Sequence, residues 1–246
     1  MPASSYGVGP TRSTLQLDAA ANMPSVTTND GVKLAYEQSG TSGPAVVLVH
    51  GWGASRESFT LNAGALAERC VVYRYDQRFH GESDKPSFGL HVARLAADLH
   101  QVLETLDLQG VTAVGTSMGC AVLWGYQELY GLQPRVARCV FVDQAPLQNR
   151  SPGWTLGSKG CYDAATLAGL REALQGGMKK FAAGNVEACA TLPLDEGLLA
   201  KLEEDTCKCQ PMQLGDLMAD HTQVQHSLIR MRKTSETRNA PRGECV

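Results

Sequence analysis

The sequence predicts an α/β fold: a doubly wound, mostly parallel sheet that carries an inserted helical lid. Three observations predict it. Short apolar runs typical of buried strands alternate with helical patterns over the first 146 residues. A strand, a glycine-flanked turn and a helix follow one another within residues 111–130. Further helical patterns then follow one another from residue 147 onward.

The chain divides into four predicted parts. Residues 1–24 are rich in Ser and Thr and have no apolar stretch of the kind a secretory signal needs, so we expect a flexible N-terminal segment. An organelle transit peptide is the less favoured alternative for this segment. Residues 25–146 are the predicted core, 147–218 the predicted lid, and 219–246 a divergent tail predicted to be disordered.

The composition of the chain excludes several classes of function. Of its 246 residues 43% are hydrophobic, which is ample for a buried core, and the net charge of −3 gives no reason to expect a nucleic-acid partner. No apolar run reaches the roughly 20 residues of a membrane span, so we expect no membrane association. The eight cysteines lack paired ligand spacing, which predicts a reduced, cytoplasmic setting with no metal and no cofactor. The oligomeric state stays open.

The predicted core elements follow in chain order. The strands are expected at 32–37, 45–49, 70–75, 111–114 and 138–143. Residues 45–49 are apolar at every position, as a strand buried on both faces requires. A helix is predicted for residues 91–106. Its apolar face consists of Leu95, Leu99, Val102, Leu103 and Leu106.

The turn at residues 115–119 reads G-T-S-M-G and predicts a nucleophile at Ser117. A serine on a sharp turn needs neighbours without bulky side chains, and Gly115 and Gly119 meet that need. The helix that follows would point backbone N–H groups and its positive dipole end at the charge formed when the serine attacks a carbonyl. The alternative is an incidental serine in a glycine-rich turn.

Four motifs in a fixed order carry a resemblance to a known family. They are H-G-W-G at 50–53, Y-D-Q-R-F-H-G-E-S at 75–83, G-T-S-M-G at 115–119 and F-V-D-Q-A-P at 141–146. With this set the chain resembles the serine-nucleophile branch of the α/β-hydrolase superfamily, over roughly residues 30 to 223.

The resemblance implies roles for three further residues of the site. In that family the His-Gly turn supplies half of the oxyanion hole, which here implies the backbone N–H groups of Trp52 and Met118. Two donors are needed because a tetrahedral oxyanion accepts more than one hydrogen bond. Asp143 lies where some members of the family carry the acid, and a structural role for it is equally open.

Other polar residues of the motifs are expected to be structural. We expect His50 to hold the His-Gly turn rather than to act as a base. Asp76, Arg78 and His80 are expected to form an internal hydrogen-bonded network under the site.

Three helical patterns, at residues 163–174, 178–190 and 195–204, resemble the family's lid. A lid would roof the pocket and exclude water. The alternative is that these helices only pack on the sheet. The aromatic residues that could line an apolar pocket there are Trp154, Tyr162 and Phe181.

The end of the chain departs from the family. After residue 223 there is no β-branched apolar run and no late Gly-His pair, so we expect the final strands and the catalytic histidine of the family to be missing. Truncation, alternative splicing and a shifted reading frame all remain open as causes. His221 and His226 are the unfavoured substitutes for the base. Without further strands, Val140 and Phe141 would lie on an exposed sheet edge.

Two functions follow from these patterns. The first is a serine hydrolase that cleaves a small-molecule carboxylic ester or related acyl compound through an acyl-enzyme on Ser117. The second is a catalytically impaired or inactive homologue, serving as a binding module or a non-functional isoform.

Overall fold

A computed structural model describes residues 23–131, 134–149, 155, 157, 163–189 and 193–223. Most of the predicted N-terminal segment and tail therefore lies outside the described residues. So do Trp154, Tyr162 and His226.

Within the described residues, six strands form one mixed sheet. They are β1 Ser25–Thr27, β2 Lys33–Ser39, β3 Ala45–Val49, β4 Val71–Tyr75, β5 Val111–Thr116 and β6 Val136–Val142. Their order across the sheet is β1-β2-β4-β3-β5-β6. β2 runs antiparallel to both of its neighbours, whereas β4, β3, β5 and β6 are parallel to one another. The predicted fold class, a mostly parallel α/β sheet, is confirmed.

Helices lie on both faces of this sheet and over its edge. They are α1 Thr60–Ala67, α2 Val92–Thr105, α3 Met118–Tyr130, α4 Ala164–Gln175, α5 Met178–Cys189, α6 Glu196–Cys207 and α7 Pro211–Gln223, with a short 3-10 helix at Arg56–Phe59. None of the helices in the described part of the chain is long and apolar enough to cross a membrane.

Among the described residues, two apolar clusters lie on opposite faces of the sheet, and a third, small one joins Leu174, Cys209 and Leu214. Val47 and Val49 of β3 point to the cluster that contains Leu99 of α2. Val46 and Leu48 point to the opposite cluster, beside the 3-10 helix and α1. Because successive side chains of a strand face opposite ways, an apolar run such as β3 needs helices on both faces.

Among the described residues after 147, the structure has one helix more than the sequence analysis predicted. Helices α4, α5 and α6 match the three predicted patterns within a few residues. α7 was not predicted as a separate helix, and it continues to Gln223, five residues past the predicted end of the lid at 218. The available signal was Pro211 in a first helical turn, followed by inward-facing Leu214, Leu217 and Met218.

Strand β6 forms the edge of the sheet among the described residues. Val140, Phe141 and Val142 are 44%, 40% and 42% exposed, which is unusual for a parallel strand of aliphatic and aromatic residues. Phe141 is covered on one side by Trp124 of α3, with ring centroids 5.1 Å apart. The predicted exposure of Val140 and Phe141 is confirmed.

Candidate active site

Ser117 is the single residue between β5 and α3. Its φ of 51° and ψ of −123° lie in a region that non-glycine residues rarely occupy. Two hydrogen bonds hold this conformation: the Ser117 N–H donates to the Val142 carbonyl at 3.0 Å, and its carbonyl accepts from the Cys120 N–H at 2.8 Å. Ser117 is partly exposed. The predicted strained turn between a central strand and a helix is confirmed.

The two glycines of the turn are required by close approaches of backbone. A Cβ on Gly115 would lie 2.6 Å from the Gly119 carbonyl carbon and 2.7 Å from the Cys120 nitrogen. A Cβ on Gly119 would lie 2.9 Å from the Val49 carbonyl carbon. Side-chain carbons do not approach backbone this closely, so both positions accept only glycine without a shift of the main chain.

The His-Gly turn faces the nucleophile. A Cβ on Gly51 would lie 3.2 Å from Ser117 Cβ and 3.8 Å from Ser117 Oγ. Both turns follow the carboxyl ends of the adjacent parallel strands β3 and β5, where open α/β sheets place their ligands. Met118 is the first residue of α3, so its N–H has no partner within the helix. The oxyanion roles of Trp52 and Met118 stay predictions.

His50 is fully buried and fixes the turn with both ring nitrogens. Its Nε2 lies 3.0 Å from the Gln77 N–H and must accept, while its Nδ1 lies 2.8 Å from the Gly51 carbonyl and must donate. Burial lowers the pKa of His50 to about 4, so the ring is neutral. A ring with both nitrogens engaged cannot take a proton from Ser117, which agrees with the structural role expected for it.

His80 repeats this arrangement and is also fully buried. Its Nε2 accepts from the Gly53 N–H at 3.1 Å, and its Nδ1 donates to the Arg78 carbonyl at 2.9 Å. Burial, followed by the neighbouring His50, lowers the pKa of His80 to about 3. The two rings meet edge to face with centroids 5.1 Å apart.

The charged residues of these motifs lie in networks larger than single pairs. Arg78 bonds Asp30 as well as Asp98, and its carbonyl also accepts from His80. Asp76 is buried against the guanidinium of Arg56, and burial raises the pKa of Asp76 despite that partner. Arg78 donates to Asp98 from Nε at 2.5 Å and from a terminal nitrogen at 2.7 Å. Arg56 and Asp98 were missed, because nothing in the pattern around them signals which opposite charge they meet.

Asp143 follows β6 directly, with φ of 54°, and is exposed. Since Ser117 N–H bonds Val142, Asp143 comes close to the nucleophile turn along the neighbouring strand. His221 of α7 reaches the same end of β6, where its Nε2 lies 2.9 Å from the Gln144 side-chain amide.

No hydrogen bond within the described ranges joins a histidine to Ser117 Oγ or to the Asp143 carboxylate. His91 instead lies 2.9 Å from Asp220, and the His100 ring stacks on Tyr130 at 3.9 Å. The structure therefore brings Ser117, Trp52, Met118 and Asp143 to the carboxyl ends of neighbouring parallel strands, and no triad is complete within the part of the chain that it describes.

Helices α5 and α7 contact the His-Gly turn directly. The indole N–H of Trp52 donates to the Leu214 carbonyl at 2.9 Å. The Trp52 ring meets Phe181 edge to face, with centroids 5.7 Å apart. Phe181 also lines an open cleft of about 420 Å³ together with Lys180 and Asn185. Phe181, one of the predicted pocket aromatics, thus lies beside the turn that carries Trp52.

Among the residues that the structure describes, no cluster of His, Cys, Asp and Glu could hold a metal ion. The cysteines described are free thiols, and burial raises the pKa of Cys120, behind the nucleophile turn, to about 11.

Comparison with known proteins identifies the family. A family model for the alpha/beta hydrolase fold matches residues 44–158. A bromoperoxidase from Bacillus anthracis superposes with a TM-score of 0.74 at 27% identity, covering 83% of this chain and 75% of that one. The chain belongs to the α/β-hydrolase superfamily.

An esterase from Exiguobacterium antarcticum has the same α/β-hydrolase fold, with a TM-score of 0.70 at 24% identity over 82% of this chain and 73% of its own. A non-heme chloroperoxidase from Streptomyces lividans is 35% identical over 127 residues, or 50% of this chain and 45% of the relative. A putative non-heme chloroperoxidase from Synechocystis sp. is 36% identical over 121 residues, 47% and 41% respectively. The matched segments thus span less than half of the length of these two relatives.

Proposed function

We propose that the chain is a serine hydrolase that acts on a carboxylic ester or related small acyl compound through an acyl-enzyme on Ser117. One observation carries the proposal: Ser117 occupies a strained position between β5 and α3, with one glycine two residues away on each side that no other residue replaces without a shift. A nucleophile held this way is presented to the carboxyl edge of the sheet rather than buried in a helix.

The proposed oxyanion hole lies at the same carboxyl ends of the strands as Ser117. The N–H groups of Trp52 and Met118 would bind the oxyanion, and removal of one such donor typically costs about 10² to 10³ in rate. The proximity of Gly51 to Ser117 supports this pairing. Asp143 is proposed as the acid, on the evidence that it follows β6 beside the Ser117 turn.

The expected rate is limited by the transfer of the Ser117 proton to a base. Serine is a weak nucleophile until a base takes its proton, and the described residues include no imidazole bonded to Ser117 Oγ. In a well-studied protease without its triad, about 10³ to 10⁴-fold over water remains from the oxyanion hole and binding. We therefore expect the chain as given to be a poor catalyst with an intact nucleophile turn.

A fluorophosphonate probe with mass-spectrometric site mapping tests the proposal. We expect slow labelling of Ser117, little turnover of a short-chain aryl ester, and loss of labelling in Ser117→Ala. Ser58→Ala, at an exposed serine of the 3-10 helix, is the matched control and should label like the unaltered chain.

One outcome would contradict the proposed nucleophile, and a second would contradict only the expected slow rate. A folded chain that is never labelled at Ser117 would exclude the nucleophile. Fast, saturable ester turnover that Ser117→Ala abolishes would refute the expectation that Ser117 lacks a base. Ester turnover by His221→Ala would then show whether His221 is that base.

The names of the curated relatives support a second candidate, peroxide-dependent halogenation without haem. Bromination of a phenolic dye in the presence of peroxide and bromide is the assay. Activity lost in Ser117→Ala would support it, and no colour change above the protein-free rate would exclude it.

A further inference from the structure

Three consecutive peptide groups of the His-Gly turn are pinned by hydrogen bonds. His50 Nδ1 holds the Gly51 carbonyl at 2.8 Å, and His80 Nε2 accepts from the Gly53 N–H at 3.1 Å. The third bond comes from the lid: Thr206 Oγ1 of α6 donates to the Gly53 carbonyl at 2.8 Å. In a trans peptide the carbonyl and N–H point in opposite directions, so pinning the Gly51 carbonyl also sets the direction of the Trp52 N–H.

The α6 residues that make this contact are buried and polar. Thr206 is 1% exposed and Asp205, beside it, is 2% exposed. Asp205 Oδ2 accepts from Ser55 Oγ at 2.7 Å, two residues beyond Gly53, while its Oδ1 accepts from Lys201 at 2.7 Å. Buried polar groups of α6 therefore form hydrogen bonds with both ends of the loop segment 53–55.

The Thr206 hydroxyl has an alternative acceptor. Its Oγ1 lies 3.0 Å from the Leu202 carbonyl in its own helix, and its single proton is shared between this oxygen and that of Gly53. If α6 moves away, the hydroxyl can still donate to Leu202. The contact can therefore break without leaving an unsatisfied donor in the lid.

We infer that Thr206 is a positioning residue that couples the lid to the oxyanion hole by fixing the Gly53 peptide next to Trp52. The inference rests on the proposed function, because the direction of the Trp52 N–H affects the reaction only if this group binds the oxyanion. It predicts that Ser117 reacts fastest when α6 is docked on the loop. A lid whose only role is to cover the sheet would show no such dependence.

Two substitutions at position 206 test the inference. Thr206→Val keeps the shape and removes the hydroxyl, whereas Thr206→Ser keeps the hydroxyl. Thr222→Val is the matched control, because Thr222 is a fully buried threonine of α7 whose hydroxyl donates to Met218 in its own helix at 2.8 Å. Thermal unfolding by circular dichroism checks that all three variants are folded.

The first readout is the second-order rate of fluorophosphonate labelling at Ser117. We expect Thr206→Val to slow it about tenfold, a fraction of the 10² to 10³ that loss of an oxyanion donor typically costs. Thr206→Ser and Thr222→Val should stay within about twofold of the unaltered chain on this reading. Equal rates in Thr206→Val and Thr222→Val would overturn the inference.

The second readout does not depend on any reaction. In ¹⁵N–¹H spectra and amide exchange, Thr206→Val should shift the Trp52 and Gly53 amides and speed their exchange, and Thr222→Val should not. Unmoved amides in Thr206→Val would overturn the inference even if labelling is slow. Absence of labelling in the unaltered chain, with shifted amides in Thr206→Val, would instead refute the proposed function alone.

Discussion

Replacement of Gly119 by alanine tests how closely the first turn of α3 approaches the end of β3. The added Cβ would lie 2.9 Å from the Val49 carbonyl carbon, 3.0 Å from the His50 carbonyl oxygen and closer still to the Val49 oxygen. All of these are backbone atoms beside the central strand, so no flexible side chain can move aside. The main chain has to shift instead.

The size of the effect follows from two opposing contributions. Alanine in place of glycine inside a helix normally stabilises by about 0.5–1 kcal/mol. Forcing an extra carbon into a packed site costs about 1–3 kcal/mol. A backbone clash belongs at the upper end of that range, so we expect Gly119→Ala to lower the free energy of unfolding by about 2 kcal/mol.

Gly64→Ala isolates the favourable contribution. Gly64 lies within α1, and a Cβ there meets no atom within 4 Å, so we expect a gain of about 0.5–1 kcal/mol. Urea unfolding followed by circular dichroism measures both variants. With a slope of about 2 kcal/mol per molar urea, Gly119→Ala should lower the midpoint by about 1 M. A Gly119→Ala midpoint at or above that of the unaltered chain would refute the close approach.

Two further predictions concern the sheet edge and the buried histidines. The β6 amides that point away from β5 should exchange faster than those that point toward it, and uniform protection along β6 would contradict the exposed edge. Val140→Lys should reduce self-association in light scattering at an unchanged urea midpoint. His50 and His80 have folded-state pKa values below the ordinary value of about 6.5, so the unfolded chain binds more protons and stability is lost as the pH falls from 6.5 toward 4. Each histidine contributes up to about 1.4 kcal/mol per pH unit in that window, and a flat urea midpoint from pH 6.5 to 4.5 would count against the neutral rings.

The nucleophile turn could be predicted from sequence because its requirements are local. The spacing of Gly115, Ser117 and Gly119 between a strand and a helix expresses steric needs that act within a few residues. The same holds for β3, where five consecutive apolar residues indicate burial on both faces. Such patterns depend on neighbours along the chain and are readable without coordinates.

The contacts that fix the site could not be predicted, because their partners are distant in sequence. Thr206 and Gly53 are separated by 153 residues, and Ser55 and Asp205 by 150. A threonine and an aspartate in a polar helix look like solvated residues until the helix is docked. Only the fold brings them against the loop, so sequence patterns gave no reason to assign Thr206 a role.

The geometry of Ser117 separates two requirements of catalysis that are usually discussed together. The strained turn is held by the Val142 carbonyl and the Cys120 N–H, and the His-Gly turn is held by the imidazoles of His50 and His80. Neither set of bonds uses a histidine that could act as the base. The fold can therefore preorganise the nucleophile and the proposed oxyanion donors whether or not a base is present, because preorganisation depends on backbone packing and proton transfer on one positioned side chain. Slow labelling with an intact turn would accordingly report on proton transfer from Ser117 and not on a defect of the fold.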